Sequence, residues 1–220
     1  MSHPTPQLSD ALTFPRGPAM ANRFMLAPLT NWQSNADGTL AEVEYHWLTM
    51  RARGGFALTM TCAAHVQRSG QGFPGQLGVW SDDHLPGLTR LAAGIHAGGG
   101  GSSLQIQHSG RRSDRALTGE QPVCPWDDAE TGARAMTTAE VEQLIADFIT
   151  AAVRAERAGF HGVELHGAHG YLLAQFLDGE NNQRTDQFGG SFANRCRVLL
   201  TIIDGVRART GPGFQLGLRL

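Results

Sequence analysis

The chain has 220 residues, of which 41% are hydrophobic and 17% charged, with a formal net charge of -2 and a pI near 6.5. A chain this long can bury roughly 70% of its unfolded surface in one core, so a single domain over residues 1–220 is expected. No Lys/Arg block marks a nucleic-acid or membrane surface, no run approaches ~18 consecutive apolar residues, and "MSHPTPQLSD" lacks the basic and apolar regions of a signal peptide. Cys62, Cys124 and Cys196 are odd in number and far apart. That is neither a disulfide framework nor a zinc spacing, and a reducing, cytoplasmic setting is the expectation.

In chain order, "RFMLAPL" (23–29) is a short apolar run stopped by Pro28, read as the first strand. Residues 39–53 carry Leu40, Val43, Trp47 and Met50 at three-to-four spacing, a helix ended by Gly54-Gly55. "FALTMTCAA" is a second strand, and "DDHLPGLTRLAAGIHAGGGG" a helix opened by acidic residues. The glycine run Gly98 to Gly101 precedes a strand, so it reads as a helix end and not as a phosphate loop. "SSLQIQH" is a third strand, and residues 111–136 lack a period and form a long excursion. "TTAEVEQLIADFITAAVRAERAG" is the clearest helix, with a capped start at Thr138 and a stop at Gly159. "HGVELH", a helix over 191–210 and "FQLGLRL" complete the series.

Strands alternating with helices imply parallel strands and right-handed crossovers. A doubly wound sheet and a (β/α)8 barrel both fit, and both gather ligands at the carboxyl ends of the strands. At those ends stand polar residues: Thr30; Thr61 and Cys62; Gln105 and Gln107 with His108; His166; Arg219. In "GVELH", alternation sends Val163 and Leu165 toward covering helices and Glu164 and His166 to the opposite face. His169 and Tyr171 follow within a few residues, separated by Gly167, Ala168 and Gly170. Three readings of this ring trio are open: hydrogen-bonded packing groups, a polar catalytic pocket, or a metal site, the last without a carboxylate or cysteine at ligand spacing.

As a set, these segments resemble the old yellow enzyme family of flavin-dependent ene-reductases. The likeness runs from "NRFMLAPLT" (22–30) and "LQIQHSGR" (104–111) through "GVELHGAHGYLLAQFL" (162–177) and "NQRTDQFGGSFANR" (182–195) to "GLRL" (217–220). It implies a (β/α)8 TIM barrel with FMN at its top face, of which this chain supplies about the first five strands. It further implies that Pro28, Leu29 and Thr30 lie along the flavin, with Thr61 on the second strand. Gln105 would bind the pyrimidine edge and Arg219 would face N1 and O2, where reduced flavin gathers negative charge. His166 and His169 would hold the carbonyl oxygen of an enone or enal, hydride would pass from flavin N5 to the β-carbon, and Tyr171 would protonate the α-carbon. Trp32 would line the substrate pocket.

NADH or NADPH is the implied reductant, and no metal is. The family's phosphate site lies in later strands, so the expectation is a chain truncated at its C-terminus, completed by a homo-oligomer or a complementing half-barrel. The alternatives are a truncated, non-catalytic family member and a metal-dependent barrel hydrolase using His166 and His169.

Overall fold

The computed structural model describes residues 5–220. Its centre is a parallel sheet. The path of the sheet runs β1 (Met25–Leu26), β2 (Leu58–Met60), β4 (Gly101–Gln107), β7 (Gly162–His166) and β8 (Gln215–Arg219), with β3 (Ala64–His65) paired to β4 off that path. The sheet therefore has six strands, where the sequence suggested five. The stretch read as one second strand breaks at Thr61 to Ala63 and resumes as β3. Each neighbour along the path is parallel and comes later in the chain.

That order separates the two architectures the sequence left open. A doubly wound sheet reverses strand order at a switch point and places helices on both faces. Here the order never reverses, and helices α1 (Glu42–Arg53), α2 (Leu85–Ala97), α4 (Thr138–Arg157) and α6 (Phe192–Arg209) pack side by side as one layer. Leu104, Ile106, Val163 and Leu165 join Leu91, Ile95, Leu144, Phe148 and Ile202 in the core between sheet and helices. The alternation read in "GVELH" is thus realised, with Val163 and Leu165 in that core.

Helix boundaries follow local chemistry. Thr137 caps α4, one residue before the expected Thr138: its hydroxyl accepts the Glu140 N–H at 3.2 Å while the Glu140 carboxylate accepts the Thr137 N–H at 2.8 Å. Gly98 closes α2, as read from the glycine run. The excursion over 111–136 holds a short helix α3 (Arg115–Thr118) and a two-stranded pair, β5 (Val123–Cys124) with β6 (Arg134–Ala135). Sequence reading also missed helix α5 (Leu172–Leu177). It missed the N-terminal segment in which Leu12 and Met20 bridge, Gly17 N–H donates to the Gly213 carbonyl at 2.8 Å, and Met20 packs on Leu58. That segment lies under the amino ends of the strands. At the interior-facing Gly162, a Cβ would come within 2.5 Å of the Gln215 carbonyl oxygen, so only glycine lets β8 approach β7.

Among the described residues, no helix is long and apolar enough to cross a membrane.

Candidate active site at the strand tips

Because the strands are parallel, their carboxyl ends share one rim. A cavity of about 250 Å³ opens there. Pro28, Leu29 and Thr30 line it just beyond β1, Ala63 from the break between β2 and β3, and Gln105 and Gln107 from β4. His166 ends β7, Arg219 ends β8, and His169 and Tyr171 come from the loop into α5. Phe73 completes the wall. Cavities of about 370 and 620 Å³ elsewhere are larger, but surface groups such as Glu120, Arg134, Glu140 and Asp186 line them.

The three rings form a compact group. His166 lies 5.0 Å from His169 (ring centroids, planes at 88°) and 5.0 Å from Tyr171 (73°). Burial pushes the His166 pKa down to about 4, with the neighbouring His169 and Arg219 adding to the effect. The ring is therefore neutral at pH 7. Its Nδ1 accepts the Ala168 N–H at 3.4 Å, which leaves the proton on Nε2.

His169 holds a left-handed backbone, φ +58°, an uncommon state for a residue with a Cβ and one found at functional sites. Arg112 donates to its carbonyl at 2.8 Å and lies 5.7 Å from the Tyr171 ring centroid. The Leu172 N–H donates to the His108 carbonyl at 3.0 Å, tying the loop to the end of β4.

On the opposite wall, the Gln105 Nε2–H donates to Glu164 Oε1 at 2.7 Å, and Arg219 Nε lies 3.4 Å from the same oxygen. Gln107 donates to Ser109 at 3.0 Å, while its amide oxygen is buried without a partner. An orphaned acceptor, a second amide and a guanidinium in one wall suit a flat heterocycle bearing ring N–H groups and carbonyls. The lining thus fits the ring of a flavin; among the described residues that line it Arg219 is the one permanent cation, so a phosphate finds little here.

Ten of the sequence-derived site residues bear on this geometry, and eight line the cavity: Pro28, Leu29, Thr30, Gln105, His166, His169, Tyr171 and Arg219. Thr61 does not. It is buried, its hydroxyl donates to the Cys62 carbonyl at 2.8 Å, and Ala63 reaches the cavity in its place because the strand breaks there. Trp32 does not line it either; it stacks on Phe73 at 6.5 Å and remains 63% exposed. Ala63 and Phe73 were missed, since both lie in an irregular stretch without period. Glu164 was placed on the correct face but given no part. Among the described residues, no cluster of three His, Cys, Asp or Glu is placed to hold a metal ion.

Residues 16–220 match the NADH:flavin oxidoreductase / NADH oxidase family. The chain belongs to that family. A probable NADH-dependent flavin oxidoreductase of Bacillus subtilis is 39% identical over 97% of this chain and 59% of its own length. 12-Oxophytodienoate reductase 2 of Arabidopsis thaliana is 35% identical over 91% of this chain and 57% of its own. The solved structure of morphinone reductase superposes with a TM-score of 0.88 at 30% identity, covering 100% of this chain and 63% of that one. The chain therefore spans less than two thirds of the length of each of these relatives. Membership bears out the resemblance read from the sequence and supports FMN with NADH or NADPH as the cofactors.

Proposed function

We propose that this chain forms the substrate-facing part of an FMN-dependent NAD(P)H oxidoreductase that reduces activated C=C bonds of α,β-unsaturated carbonyl compounds. The observation that carries this is the His166, His169, Tyr171 group, with the His166 ring centroid 5.0 Å from each of the other two, facing one cavity with Gln105 and Arg219. The chain-ordered parallel sheet with helices on one face supports reading it as the first part of a (β/α)8 barrel, a single domain over residues 1–220. Relatives named as reductases of 12-oxophytodienoate and morphinone support the enone class.

In this reading Pro28, Leu29 and Thr30, with Gln105 and Arg219, would hold FMN, which when bound would supply hydride drawn from NADH or NADPH. The neutral His166 donates from Nε2 to the substrate carbonyl oxygen, and His169 donates beside it. Two donors withdraw charge from the alkene and stabilise the enolate oxygen as it forms; removing one such donor costs about 10²–10³ in rate. The Tyr171 hydroxyl delivers a proton to the α-carbon, a contribution of roughly 10²–10⁴. Trp32, on the outer side of Phe73, borders the substrate's path.

The test is Tyr171→Phe in stopped flow. Flavin reduction by NAD(P)H stays nearly intact and enone reduction slows by roughly 10²-fold or more. Equal slowing of both half-reactions would contradict the proton-donor role.

A further inference from the structure

One buried acid in the site has no part in the chemistry above. Glu164 stands on β7 between β4 and β8, largely withdrawn from solvent and paired in register with Gln105 and Gly217. Its Oε1 accepts the Gln105 Nε2–H at 2.7 Å and lies 3.4 Å from Arg219 Nε. A carboxylate has no hydrogen to give, so Gln105 must turn its NH2 group toward Glu164. Its amide oxygen is then the part left for the cavity. Arg219 can only donate. The wall thus presents an acceptor beside a fork of donors, which complements a ligand edge where an N–H adjoins a carbonyl. His166 is the neighbouring inward residue on β7 and is neutral, so the net charge at this edge is set by Glu164 against Arg219.

We propose that Glu164 is a positioning residue with two effects: it fixes the hydrogen-bond polarity of Gln105 for the imide edge of a flavin, and its charge offsets that of Arg219. The inference rests on the flavin reading above. A lone guanidinium at that edge would favour the negative charge of the reduced cofactor; a carboxylate on the same guanidinium lowers that preference. Glu164 therefore holds the flavin's reduction potential down, which keeps the bound cofactor a stronger hydride donor. Packing alone predicts no such electrical effect.

Two substitutions separate the roles. E164Q keeps an acceptor oxygen for Gln105 but removes the charge; E164L removes both. In the purified FMN-loaded protein, E164Q shifts the midpoint potential, measured by equilibration with redox dyes, to a more positive value while FMN affinity changes little. E164L raises the FMN dissociation constant about tenfold or more, the result of one lost buried hydrogen bond. Equal potentials in wild type and E164Q overturn the electrostatic role, and unchanged FMN affinity in E164L overturns the orienting role. If E164L fails to fold, the E164Q potential decides. A wild-type protein that takes up no FMN overturns the flavin reading itself, and this inference with it.

Discussion

Three histidines of this chain, His65, His108 and His166, are held neutral by burial, and that has a consequence for acid stability. His166 and His65 are pushed down to about 4, and His108 to about 3, in each case chiefly by loss of solvent. The folded chain therefore binds fewer protons than the unfolded one below the ordinary histidine value of about 6.5. The stabilisation is complete above that value and drains away as pH falls toward 4, by up to about 1.4 kcal/mol per pH unit for each group. Urea midpoints measured between pH 7.5 and pH 4.5 are expected to fall steadily below about 6.5; a flat profile would mean that these rings are solvated. Glu140 and Asp186, held near 2 by hydrogen bonds to Arg134 and Arg184, add a second loss only below the usual carboxylate range.

At the scale of elements, helix α1 anchors the loop that follows β1. Glu44 is fully buried and, among the described residues, forms no ion pair; its carboxylate accepts from Asn31 Nδ2 and Cys62 Sγ, both at 3.2 Å, and from the Ser34 hydroxyl. Asn31 and Ser34 flank Trp32, whose backbone is left-handed at φ +55°. Glu44→Ala leaves these donors without an acceptor and should cost at least about 1–3 kcal/mol. A urea titration measures this, with faster labelling of the buried Cys62 as a second readout; an unchanged midpoint would show that water replaces the carboxylate.

The elements themselves were readable where a period or a cap was long enough to register, as in α4 and in the strands around Leu104 and Val163. The break at Thr61 to Ala63, the bridge between Leu12 and Met20, and the short α5 were not. Stretches of two to six residues carry too little period to register, and what shapes them is contact with distant segments. The site shows the same division. Polar residues at strand ends announced Thr30, Gln105, Gln107, His166 and Arg219, the ring-bearing loop announced His169 and Tyr171, and Pro28 and Leu29 came with the family resemblance, whereas Ala63 and Phe73, apolar and on irregular backbone, announced nothing. Glu164 could have been found from its inward phase opposite Gln105 and Arg219.

Across the whole molecule, a chain-ordered parallel sheet gathers groups distant in sequence, from Pro28 to Arg219, onto one rim, and the helix layer behind it fixes their spacing. On the reading proposed above, a cavity with ring donors on one side and an amide–guanidinium wall on the other would bind an oxygen bearing negative charge against a flat heterocycle. The most direct measurement of that claim is a titration of the FMN-loaded protein with a phenol, whose oxygen mimics an enolate, followed in the flavin absorption spectrum. The wild type should show a saturable spectral change, and the double variant His166→Ala with His169→Ala should lose it. The same saturable change in both proteins would contradict the account.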